Sequence, residues 1–126
     1  MKIRIALPNF NIKRRRTRNG FLIVFSLLVF LPCAMAETPI FQIEIRNHLF
    51  QPSTLVIPAG VKIKLIISNR DSSPEEFESY ELNREKVIMG NTQSVVFIGP
   101  LEPGEYPFFG EFNPKTAQGI IIAEEK

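Results

Sequence analysis

The chain has 126 residues with 15 Lys and Arg against 13 Asp and Glu, but the positive charge sits at one end: residues 1–36 carry seven basic and no acidic side chains, and the other 90 carry eight basic and thirteen acidic, a net charge of −5. Ninety residues support one small domain with a single core and exclude a two-domain enzyme. An acidic body also argues against a nucleic-acid partner, because phosphates are neutralised by a basic face.

In chain order, basic residues 13–18 precede an apolar run over 21–31, a break at Pro32 and then Ala34-Met35-Ala36. This order is that of a secretory signal peptide, with cleavage expected after Ala36. The apolar run is too short to span a bilayer as a helix. Phe21 and Leu22 lie too far from Arg15-Arg16 for twin-arginine export, and Pro32 before Cys33 does not suit a lipoprotein signal. The leader looks bacterial, so the domain over 37–126 is expected to be soluble in a periplasm or outside the cell. Cys33 is the only cysteine. Once the leader is removed there is no disulfide, thiolate ligand or thiol nucleophile.

Beyond Glu37 the hydrophobic period is two. Phe41, Ile43 and Ile45 alternate with Gln42, Glu44 and Arg46, and Leu55 and Ile57 repeat the pattern before Pro58-Ala59-Gly60. Val61, Ile63, Leu65 and Ile67 alternate with Lys62, Lys64, Ile66 and Ser68, so a Pro/Gly break joins two strands. Residues 69–74 read as a polar loop and 77–82 as a short strand, while 83–89 can form a turn or two of helix at most. Further strands are expected at 95–98, 106–109 and 119–123, with a loop through Asn113-Pro114. About seven short strands separated by turn signals predict an all-β, antiparallel Greek-key β-sandwich. In Leu101-Glu102-Pro103-Gly104-Glu105-Tyr106 the Pro-Gly turn leads into a tyrosine. That is either a tyrosine corner or a hairpin turn beside a core tyrosine, and both suit a sandwich.

Chemistry has few carriers here. After Ala36 there is one histidine, His48, one methionine, Met89, and no cysteine. No nucleophile motif, phosphate-cradling glycine loop or zinc-ligand spacing is present, and nothing in the chain indicates enzymatic turnover. What remains is Glu75-Glu76 in one loop with Glu78 and Glu81 close by, Glu111 in another loop, and His48 near the end of the first strand. Each has a plain structural reading as well: a histidine bonded to a neighbouring carbonyl, and solvated loop acids. Adjacent glutamates on a strand point to opposite faces, so Glu75 and Glu76 reach one ion only where the chain is irregular.

The stretch FQIEIRNHLFQPSTLVIPAGVKIKLIISN over 41–69 resembles the front half of a cupredoxin, and LEPGEYPFFGEFNPKTAQGIIIAE over 101–124 resembles its ending. More narrowly, Asn47-His48-Leu49-Phe50, Ser73-Pro74-Glu75-Glu76-Phe77 and Phe109-Gly110-Glu111-Phe112 resemble EfeO-type cupredoxin-like domains, which bacteria export and often encode beside iron permeases. In the blue-copper members, histidine, cysteine, histidine and methionine hold the metal. The matching positions here are Glu75, Gly110, Asn113 and Ala117, so all four ligands are missing and a blue thiolate site cannot form. The EfeO-type resemblance instead implies a site built from His48, Glu75, Glu76 and Glu111. Such an oxygen-rich set with one imidazole suits Cu(II) or an iron ion.

Two readings of function follow. One is an exported metal-binding accessory of periplasmic iron uptake, with a copper or iron ion as cofactor and a periplasmic iron-binding protein or inner-membrane iron permease as partner. The other is a metal-free β-sandwich adaptor that binds a protein partner through its loops or an edge strand.

Overall fold

A computed structural model describes residue 29 and residues 31–126. Residues 1–28 and 30 of the expected signal segment over 1–36 therefore lie outside the described residues. The unit Met35–Lys126 is built from nine strands: β1 (Ile40–Arg46), β2 (Leu49–Gln51), β3 (Thr54–Pro58), β4 (Ile63–Asn69), β5 (Glu75–Ser79), β6 (Arg84–Ile88), β7 (Gln93–Ile98), β8 (Gly104–Gly110) and β9 (Gln118–Glu124). They form a four-stranded sheet ordered β2-β1-β4-β7 and a five-stranded sheet ordered β3-β9-β8-β5-β6.

The period-two segments became strands with one buried face. Ile43 and Ile45 on β1, Ile63, Leu65 and Ile67 on β4, and Val96 and Ile98 on β7 turn inward, while the residues between them are wholly or partly exposed. From the other sheet Phe77 and Phe108 meet Phe50 of β2, with ring centroids 5.0 to 6.2 Å apart. Burying each such side chain contributes about 1.5–3 kcal/mol, and this contact between sheets is what closes the sandwich.

Three details differ from the sequence expectation. Residues 83–89 do not turn into helix: Arg84–Ile88 is an edge strand in which only Ile88 is buried, so no alternation marks it. Two pairings, β1 with β4 and β3 with β9, are parallel. In each case the chain visits the opposite sheet between the two strands and returns running the same way. Finally, Glu75 and Glu76 begin β5 and are not loop residues.

The turn before β8 is a tyrosine corner. Tyr106 Oη donates to the Glu102 carbonyl oxygen at 2.8 Å, where the chain crosses from β7 in one sheet to β8 in the other. A core tyrosine beside a simple hairpin would not make this bond back to its own turn.

Candidate functional site

The loops between β1 and β2, β4 and β5, and β8 and β9 gather at one end of the sandwich. His48 sits in the two-residue turn between β1 and β2, where Arg46 pairs with Leu49 and both Asn47 and His48 have positive φ, 52° and 59°. This is the geometry of a type I′ hairpin turn, which asparagine at the first position tolerates well and histidine at the second less so. The turn is held from outside. Asp71 accepts the Asn47 N–H at 2.8 Å through Oδ1 and the His48 N–H at 2.9 Å through Oδ2. The His48 N–H, aided by that of Asn47, holds the Asp71 carboxyl below the usual carboxylate range, against the opposing effect of partial burial. Asp71 is itself placed by Asn69, a buried residue ending β4. Its Oδ1 accepts the Asp71 N–H, and its Nδ2 donates to the carbonyls of Ser73 and Ile88.

Strict alternation on β5 decides the fate of the glutamate pair: Glu75 points inward and is 1% exposed, and Glu76 points outward. Glu75 Oε1 accepts the N–H groups of Glu76 and Phe112, each at 2.9 Å, and Oε2 accepts Asn113 Nδ2 at 2.7 Å. All three partners are donors, which matches an acceptor-only carboxylate. The same Asn113 nitrogen lies 3.3 Å from His48 Nδ1. Gly110 and Ala117 close the remaining side. A Cβ on Gly110 would stand 2.6 Å from Glu75 Cδ and 2.8 Å from the Ala117 Cβ. The 110–117 loop adds its own backbone bonds, Gly110 N–H to the Ala117 carbonyl at 2.7 Å and Ala117 N–H to the Asn113 carbonyl at 2.9 Å.

The four expected ligands therefore do not form one set. His48 and Glu75 both contact Asn113, whereas Glu76 and Glu111 belong to the outer side of the five-stranded sheet. There Glu76, Glu78 and Glu85 place carboxylate oxygens within 4.8 Å of one another, and this is the one group of three or more potential ligands among the described residues. Glu78 and Glu85 face each other across β5 and β6. Partial burial, together with the charges of Glu85, Glu76 and Glu111, pushes the Glu78 carboxyl up. Glu111 is tied to Glu76 only through the backbone, its N–H donating to the Glu76 carbonyl at 2.9 Å. Local pattern concealed the roles of Asp71 and of the Asn113 amide, since their partners lie far away in sequence; the cues were Asn113 at a ligand position of the family it resembles, and Asn47, an asparagine well suited to a left-handed turn position.

The family description of the cupredoxin-like domain matches residues 20–123. The chain belongs to the cupredoxin-like domain family. The uncharacterized protein RP394 of Rickettsia prowazekii (strain Madrid E) is 44% identical over 84 residues, which cover 67% of each of the two chains. Auracyanin A, a blue copper protein of Chloroflexus aurantiacus, superposes with a TM-score of 0.61 at 10% identity, covering 70% of this chain and 100% of that one. A purple cupredoxin of Nitrosopumilus maritimus superposes with a TM-score of 0.52 at 21% identity, covering 66% and 98%. At these identities the two structures establish the shared fold.

This cupredoxin-like domain does not fit a blue-copper ion. The positions that carry ligands in blue-copper members are neighbours here, but they present a carboxylate, an amide and two residues without side-chain donors. Both Glu75 oxygens and the Asn113 amide nitrogen are already engaged within the protein. Among the described residues no buried side-chain nitrogen or oxygen lacks a partner, so no orphaned ligand atom waits in the pocket for a metal. A thiolate with two imidazoles, which that copper centre requires, is missing altogether.

Proposed function

We propose that this protein is an exported cupredoxin-like accessory of bacterial metal handling that works by binding a protein partner and holds no metal in the ligand pocket of its fold. The observation that carries the proposal is the state of Glu75, buried at the first ligand position with both oxygens occupied by N–H donors. The partner is an iron-binding protein of the periplasm or an inner-membrane iron permease, as the EfeO-type resemblance implies, and the leader over 1–36 delivers the domain to that compartment. The reading in which His48, Glu75, Glu76 and Glu111 share a copper or iron ion has less support, because only His48 and Glu75 meet at a common neighbour.

Titration of the chain beginning at Glu37 with Cu(I), Cu(II) and Fe(II), followed by calorimetry and electron paramagnetic resonance, tests the proposal. No stoichiometric binding is expected. Uptake of one equivalent that disappears with Glu75→Ala or His48→Ala would overturn it, and uptake lost only with Glu78→Gln would move the metal reading to the outer acidic face. Mass spectrometry of the exported protein is expected to find Glu37 at its N-terminus. Crosslinking in the periplasm of the source bacterium is expected to capture the iron-binding protein or permease; capture of neither removes the assignment to iron uptake.

A further inference from the structure

Two open sheets have four edge strands between them, and a free edge presents unpaired N–H and C=O groups to any chain that can add to it. Three of the four are protected here. β2 has only three residues, β6 carries Arg84, Glu85 and Lys86 in succession, and β7 has its Phe97 carbonyl capped by Arg84 Nε at 2.9 Å. The fourth, β3, is Thr54-Leu55-Val56-Ile57-Pro58, five residues without a charge. Which of its groups are free follows from the ladder. β3 runs parallel to β9, and Ile120 N–H donates to the Ser53 carbonyl and Ala59 N–H to the Glu124 carbonyl, both at 2.7 Å. In a parallel pair the main-chain groups turn to the neighbouring strand at every second residue, so Leu55 and Ile57 bond to β9 whereas Thr54, Val56 and Pro58 point theirs away. Pro58 fits there because its nitrogen, which has no hydrogen, is one that the ladder does not use. Among the described residues no strand pairs with that side and no turn bond reaches it.

We propose that the free edge of β3 pairs with the β3 edge of a second copy of this chain, antiparallel about a two-fold axis, so that two five-stranded sheets join into one of ten strands. The edge is its own complement. With Val56 opposite the Val56 of the second copy, the two exchange N–H and C=O bonds, and each Thr54 N–H falls opposite a Pro58 carbonyl, so both free donors on each copy find acceptors. Charge favours a like chain over an ionic partner, because the edge offers no counter-charge and the domain beyond residue 36 is at −5. The acidic group Glu76, Glu78 and Glu85 lies on β5 and β6, at the other end of the order β3-β9-β8-β5-β6. Joining through β3 therefore sets the two acidic groups at the far ends of the joined sheet. Glu124 is in register with Pro58, so the Glu124 residues of the two copies fall at opposite ends of the seam. On the outer face Val56 is exposed and in register with Ile122, and Thr54 with Ile120, so an apolar strip continues across the seam. Five paired residues cover less than the roughly 800 Å² per partner of a stable complex, so the association is weak and depends on concentration.

The unit Met35–Lys126 holds all nine strands and the whole core, so it serves for the test. Sedimentation velocity and amide hydrogen exchange are followed from about 10 µM to about 1 mM, a range set by the small seam. The sedimentation coefficient is expected to rise from that of one chain to that of two. Over the same range the Thr54 and Val56 amides are expected to gain protection roughly tenfold or more, while those of Leu55 and Ile57, already bonded to β9, change far less. Val56→Lys places a charge on the exposed outer side of the edge, so that variant should remain a single chain throughout with an unchanged circular dichroism spectrum. A single chain at every concentration overturns the proposal, and so does a dimer that Val56→Lys leaves intact, since it uses another surface. If Val56→Lys does not fold, the exchange pattern of the natural chain decides: association with no added protection at Thr54 and Val56 overturns the pairing. An edge that stays open at about 1 mM and gains protection only when an extended segment of another protein is added belongs to a foreign strand, which also overturns the pairing of copies.

Discussion

Replacing Asp71 by alanine isolates the clamp that holds His48. The substitution removes two hydrogen bonds to backbone N–H groups, 2.8 and 2.9 Å long, from a turn in which Asn47 and His48 both adopt left-handed backbone. A hydrogen bond to a charged group is worth about 1.5–3 kcal/mol when dry. Asn47 and His48 are exposed, however, so water takes over much of the lost acceptor, and a total cost of about 1–2 kcal/mol follows. The cost should depend on pH in a defined direction. The carboxyl of Asp71 is held below its ordinary value, so its contribution is fully present above the unfolded pKa and is lost as pH falls through the lower folded value. Urea unfolding followed by circular dichroism at neutral pH and again below about pH 3 measures the gap between the natural chain and Asp71→Ala. The gap should shrink in acid. A gap of the same size at both pH values would refute the clamp, as would a loss below about 0.3 kcal/mol at neutral pH with unchanged chemical shifts for Asn47 and His48.

Other outcomes follow from the same structure. Gly110→Ala should destabilise the chain by about 1–3 kcal/mol through overpacking against Glu75 and Ala117; in a Glu75→Ser background the loss should be smaller, and a double-mutant cycle in urea reads the coupling. Tyr106→Phe should cost about 0.5–1.5 kcal/mol in the same assay, since it deletes only the bond to the Glu102 carbonyl. Glu78→Gln should raise the melting temperature at neutral pH. Because the folded pKa of Glu78 is raised, the natural chain regains stability as pH falls through that value, and the difference between the two chains should close on acidification; calorimetric scans across the acid range check it.

The sequence carried the architecture because a sandwich strand writes its own signature: one face in the core and one in water yields a period of two, as in Phe41 to Arg46 and Ile63 to Ser68. The same alternation separates Glu75 from Glu76, inward and outward on one strand, but the sequence pattern had both in a loop. It failed at β6, where an edge position leaves Arg84 to Val87 exposed and no alternation exists to be read. It also left the turn at Tyr106 undecided, since a corner and a hairpin share the same residues until the hydroxyl is seen to reach the Glu102 carbonyl.

The site was beyond local pattern for a different reason. Glu75 and Asn113 are 38 residues apart, His48 and Asn113 65, and Asp71 lies more than twenty residues from the turn it clamps. Composition supplied the inventory of one imidazole, many carboxylates and a single cysteine, Cys33. Whether those acids surround an ion or receive N–H groups depends on how two sheets stack and how three loops meet at their end. Packing of side chains distant in sequence decides that, and only tertiary structure turned Glu75 from a candidate ligand into the buried acceptor that the surrounding loops close upon.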